Sequence, residues 1–156
     1  MRVVILHESP AADEVAGSFA RAAQEFNRGL DIRLRFLDVG FSLREVPVRD
    51  EDDFAAVTLS ETTGAFRPGA VLALGTGPKL LECVGAAVKA RLPVVYLMPE
   101  TEERATAAIA RIATVVVTPR AEDAPAGIET ATLDGRPVGP ALVDIIVRSV
   151  REDHAP

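Results

Sequence analysis

The chain has 156 residues, 48% of them apolar, enough for one compact domain around a single core and too few for two. Its 17 Lys and Arg are dispersed among 23 Asp and Glu for a net charge of −6, and this balance lacks the basic stripe that a nucleic-acid partner needs. The single cysteine, Cys83, allows no internal disulfide and suits a reducing cytoplasm, and the apolar run at residues 3–6 is far too short for a signal peptide or membrane span.

Residues 3–6 form a short β-branched run, the pattern of a strand covered on both faces and central in its sheet. Val15, Phe19, Ala22 and Phe26 then recur at steps of four, three and four, which predicts a helix over 11–26 with Arg21 and Glu25 outside. Ile32, Leu34 and Phe36 alternate with Asp31, Arg33 and Arg35, the period of a strand near a sheet edge. The acids at 50–53 precede Phe54 and Val57 and read as the start of a surface helix, where the macrodipole favours negative charge.

Pro68-Gly69 marks a turn before a buried strand at 70–74, which ends at Gly75-Thr76-Gly77. Leu80, Leu81, Val84, Ala87 and Val88 mark the next helix face, and Pro93 opens a strand at 94–98. Residues 101–112 read as a short helix, 114–117 as a strand, and 128–133 as a strand before an Asp134-Gly135 turn. Leu142, Ile145, Ile146 and Val150 place a closing helix on the sheet, with Arg148 and Ser149 toward its polar side. Strands separated by helices require right-handed crossovers. The expected fold is therefore a single Rossmann-like, three-layer α/β domain over residues 1–156, with a mostly parallel sheet of about six strands.

Ligands of such sheets bind outside the carboxyl ends of the strands. The loops to inspect are His7-Glu8-Ser9-Pro10, Gly75-Thr76-Gly77-Pro78-Lys79, Pro99-Glu100-Thr101 and Thr118-Pro119-Arg120. In the second loop two glycines would let the backbone approach an anion, and a helix start with Lys79 beside it would supply donors. The spacing matches neither a dinucleotide fingerprint nor a P-loop, and a strand-to-helix turn needing positive φ explains the same glycines. His7 beside Glu8 offers acid–base chemistry in principle, but no third orienting group is visible, so the pair reads as a surface pair. Two histidines and one cysteine make no metal constellation, and no cofactor is implied. The ligand-binding set expected from the loops is His7, Glu8, Ser9, Gly75, Thr76, Gly77, Lys79 and Glu100, all on one cleft. The loops are mostly polar, with Met98 and Val138 as exceptions, so no large apolar cleft face is expected.

The segments Leu92-Pro93-Val94-Val95-Tyr96-Leu97, Pro99-Glu100 through Arg104, Thr114-Val115-Val116-Val117-Thr118-Pro119 and Val138-Gly139-Pro140-Ala141-Leu142-Val143-Asp144 occur in an order that resembles the N-terminal half of non-hydrolysing UDP-N-acetylglucosamine 2-epimerases. The wider glycosyltransferase-B group is similar over the same region. The resemblance implies a nucleotide-sugar ligand, with most nucleotide contacts supplied by a second domain for which 156 residues leave no room. Departures accompany it: the family's Gly-Asp-Thr is Gly75-Thr76-Gly77 here, its Pro-Glu-Glu-x-Asn-Arg is Pro99-Glu100-Thr101-Glu102-Glu103-Arg104, and its first-loop Arg is absent from His7-Glu8-Ser9-Pro10.

The resulting expectation is a stand-alone, cytoplasmic, nucleotide-sugar enzyme-like domain, without catalysis alone and completed by a second-domain protein or by a homodimer. The alternative is a small-molecule or regulatory binding module with a flavodoxin-like sheet, and a third reading is a small hydrolase using His7 and Glu8. A strand order of 3-2-1-4-5 would speak for the first, and 2-1-3-4-5 for the second.

Overall fold

The computed structural model describes residues 1–8, 12–26, 32–39, 67–99, 104–120, 122 and 124–153. Within them the elements run β1 (Arg2–His7), α1 (Asp13–Phe26), β2 (Arg33–Asp38), β3 (Ala70–Leu74), α2 (Pro78–Lys89), β4 (Val94–Leu97), α3 (Arg104–Ile112), β5 (Val115–Thr118), β6 (Thr130–Thr132) and α4 (Val138–Asp153). The helix start expected at 50–53 lies outside the described residues.

The six strands form one sheet in the order β2-β1-β3-β4-β5-β6, and every neighbouring pair is parallel. Among described strands this is the 2-1-3-4-5 succession with a sixth strand added. Residues 40–66, which join β2 to β3, are outside the described set, so the order alone does not separate the two topologies weighed above. As the run at 3–6 predicted, β1 is paired on both edges and residues 3–6 have no exposed surface.

Because successive residues of a strand point to opposite faces, β1 divides its side chains between two cores. Val3 and Ile5, with Leu72, Leu74, Val95 and Val117, face α1 and α4 through Ala16, Phe19, Leu142 and Ile146. Val4 and Leu6, with Val71, Ala73, Val94, Tyr96 and Val116, face α2 and α3 through Leu80, Cys83, Val84, Ala87 and Ile109. This is the three-layer sandwich read from the sequence, and its continuous apolar strands follow from cover on both sides.

Two local readings change and one turn holds. Phe26, on the predicted inner face of α1, is 51% exposed, because it ends the helix where the core no longer reaches. Ser149 is buried rather than solvated, and its hydroxyl donates to the Ile145 carbonyl at 2.9 Å, so the polar group is satisfied within its own helix. The Asp134-Gly135 turn is confirmed: both residues have positive φ (50° and 75°), and the Arg136 amide donates to the Leu133 carbonyl at 3.0 Å.

Gly139 explains how α4 closes the domain. A Cβ there would lie 2.5 Å from the Ser18 carbonyl oxygen, so the first turn of α4 packs directly against the backbone of α1. The Val138-Gly139-Pro140 segment is thus a helix-packing site here, and Pro140 is accommodated because the first helical turn needs no amide from it.

Candidate functional site

Parallel register aligns the strand ends. His7 pairs with Leu74, Leu74 with Leu97, Leu97 with Val117, and Thr118 with Thr132, which puts the loops after β1, β3, β4 and β5 on one edge. The chain leaves β1 toward β2 on one side and returns with β3 on the other, so a topological switch point lies between β1 and β3, the place where open α/β sheets bind ligands.

A cleft of about 320 Å3 opens at this edge, within the size range of small-molecule sites, about 300–1,000 Å3. Glu8, Gly75, Thr76 and Pro99 border it, as the loop reading expected. His7, Gly77 and Lys79 do not line it, and Ser9 and Glu100 are outside the described residues. The rest of the wall corrects the expectation of a polar edge: Ala12 and Val15 come from the α1 side, Leu74 and Leu97 are the last residues of their strands, and Met98, Pro119 and Leu133 complete it. Reading loops alone missed them, because strand-terminal side chains and an adjacent helix also face the edge.

The His7–Glu8 surface pair is not formed. His7 is buried, with 9% of its surface exposed, and its Nδ1 lies 3.2 Å from Asp13 Oδ1 at the start of α1, while its ring meets Phe36 edge-on at 6.0 Å. Adjacent strand residues point to opposite faces, so a His and a Glu in succession are parted by the pleat. Asp13 was the missed partner, and its place in the first turn of an expected helix was the available signal.

Glu8 instead crosses to the neighbouring loop. The Gly77 amide donates to Glu8 Oε1 at 2.6 Å, linking residues 69 positions apart, and the Glu8 amide donates to the Leu74 carbonyl at 3.3 Å. Gly75 has φ +141°, a conformation open to glycine, whereas Gly77 has an ordinary φ of −85°. A Cβ at Gly77 would sit 2.8 Å from Glu8 Oε1, the end of a flexible side chain that can shift, and one at Gly75 would sit 2.7 Å from Glu8 Cδ, so of the two it is Gly75 whose backbone requires glycine. The loop is also held from below, because the hydroxyl of fully buried Tyr96 donates to the Gly75 carbonyl at 2.8 Å.

Lys79 is engaged on its own helix, with Nζ 3.6 Å from Glu82 Oε2. The thiol of Cys83 is buried in the α2 face of the core, and burial pushes it up to about 12, helped by the nearby Glu82 carboxylate. Such a thiol is neither nucleophile nor ligand near neutral pH. Among the described residues no group of three His, Cys, Asp or Glu could hold a metal ion, and no helix is long and apolar enough to cross a membrane.

No protein-family model matches the sequence, and no curated protein resembles it significantly. Solved structures do resemble the fold. MurG of Acinetobacter baumannii superimposes with a TM-score of 0.62 at 17% identity, over 87% of this chain and 45% of MurG. The UDP-GlcNAc 2-epimerase of Neisseria meningitidis, solved bound to UDP-GlcNAc, gives 0.60 at 14% identity over 95% of this chain and 49% of the enzyme. The UDP-GlcNAc 2-epimerase of Methanocaldococcus jannaschii gives 0.60 at 12% identity over 77% of this chain and 40% of the enzyme. The chain spans under half the length of each of these proteins. Its Rossmann-like α/β sandwich has the fold of one half of glycosyltransferase-B-type proteins, in keeping with the N-terminal half to which residues 92–144 point.

Proposed function

We propose that this chain is a nucleotide-sugar-handling domain whose cleft at the β1–β3 switch point receives part of a UDP-sugar, with turnover depending on a second domain or a second copy that closes the open edge. The observation carrying this reading is the apolar-walled cleft itself, bordered by Glu8, Gly75 and Thr76 at the edge where sheets of this class bind ligands. The likeness to half of a UDP-GlcNAc 2-epimerase supports the ligand class. Glu8 is the ionisable group on the cleft wall among the described residues, and no second carboxylate or base there completes an acid–base pair.

The test is titration of the isotope-labelled protein with UDP-GlcNAc, UDP and N-acetylglucosamine separately. Amide shifts are expected at residues 74–76, 97, 98 and 133, with no conversion of UDP-GlcNAc. Unmoved cleft amides at millimolar UDP-GlcNAc would reject the ligand, and epimerisation or hydrolysis above background would reject dependence on a second domain.

A further inference from the structure

The loop after β3 has the outline of an anion cradle: two glycines, a strand end and a helix start. Three of the groups that would serve it are nevertheless engaged or lack a proton. The Gly77 amide is taken by Glu8 Oε1 at 2.6 Å, Pro78 at the first helical position has no N–H to give, and the Lys79 ammonium is drawn to Glu82. The space a phosphate oxygen would enter is filled by the same carboxylate, since Glu8 atoms lie within 2.9 Å of the positions that Cβ atoms at Gly75 and Gly77 would take.

We infer that Glu8 is a specificity-determining residue that occupies the anion position of the Gly75-Thr76-Gly77 loop, excludes phosphate from it, and leaves the cleft to an uncharged, hydroxyl-bearing group. A carboxylate held at contact distance repels a second anion, whereas helix-start amides without it attract one. Glu8 keeps hydrogen-bond capacity for such a group: Oε1 is engaged by one donor, and a carboxylate offers about four acceptor positions in all. The other walls, Val15, Leu74, Leu97 and Leu133 among them, provide apolar surface for the carbon face of a ring. Resting on the nucleotide-sugar reading for its ligand class, the inference places the sugar rather than the diphosphate at the switch point. The exclusion of phosphate stands on the loop geometry alone.

The experiment uses inorganic phosphate as the probe and the amides of residues 75–77 and 79–81 as the readout, in the native protein and in Glu8→Ala and Glu8→Gln. Native amides are expected to stay unmoved at millimolar phosphate. Glu8→Ala is expected to bind phosphate there about tenfold or more tightly, since a unit charge at contact distance is worth that order even when screened by water. Glu8→Gln removes the charge while keeping the amide's acceptor and shape, so it carries the test if the alanine variant fails to fold, and a smaller gain is expected. Phosphate shifts in the native loop, or no gain in either folded variant, would overturn the inference. Failure of UDP-GlcNAc to bind the native protein, with the phosphate gain intact, would sink the proposed ligand and leave the role of Glu8 standing.

Discussion

The hydroxyl of Tyr96, the chain's single tyrosine, donates to the carbonyl of Gly75 from within the sheet, so the floor of the cleft is tied to the fully buried face shared with α2 and α3. A buried phenol needs a partner, and here the partner is the backbone of a loop glycine at positive φ. Tyr96→Phe is expected to lower stability by about 1 kcal/mol with an unchanged denaturant slope. Faster hydrogen exchange at residues 75–77 in the variant than in the native protein would confirm that the bond restrains the loop, and unchanged exchange there would refute it.

Two helical glycines should respond in opposite directions. Gly139→Ala drives a Cβ into the Ser18 carbonyl, and neither backbone can yield without parting α1 from α4, so a loss of about 1–3 kcal/mol is expected. Gly85→Ala meets nothing within 4 Å in the middle of α2. There the alanine should stabilise the protein by about 0.5–1 kcal/mol through helix propensity. Urea titration of both variants is the measurement, and the same sign in both would count against this packing of α1 on α4.

Cys83 gives the stability curve an alkaline limb. Its folded value of about 12 lies above the ordinary 9.0, so the folded state holds the thiol proton after the unfolded state has released it. The associated stability is complete below about pH 9 and is lost as pH rises from there toward 12. Cys83→Ala should flatten that part of the curve relative to the native protein. The native thiol should resist alkylation at neutral pH unless denaturant is added.

Thr76 borders the cleft without belonging to either core. Thr76→Trp should fill much of the cavity, weaken UDP-GlcNAc binding by about tenfold or more, and leave the unfolding free energy within about 0.5 kcal/mol of the native protein's. Retained affinity would place the ligand elsewhere.

Much of the fold was legible because it depends on local periodicity. Residues 3–6, 70–74 and 94–98 are unbroken apolar runs, and the helix faces through Phe19, Val84 and Ile146 repeat at helical spacing. The site was legible only to the level of its loops. That Glu8 would turn from His7 to a glycine 69 positions away depends on strand pairing, which no short window contains. The apolar wall escaped for a similar reason, since Val15 and Leu133 reach the edge only after α1 and β6 take their places. Pro78 was the overlooked local clue: a helix opening on proline has one amide fewer for an anion.

The partnership of β1 with β3 has a kinetic consequence. From β3 to β6 each strand pairs with the next along the chain, whereas β1 meets β3 only after residues 8–69 have looped back. Loop-closure entropy must be met before those distant contacts form, so the sheet should grow outward from β3–β4–β5 and acquire β1 late. The cleft would then be among the last features to appear, since Glu8 and Gly75 stand on opposite sides of that late seam. Substitutions in β1 such as Ile5→Val should therefore act mainly on the unfolding rate, and Val95→Ala on the folding rate. A ligand bound across the seam would slow unfolding by holding together the two strands that are farthest apart in the order of assembly.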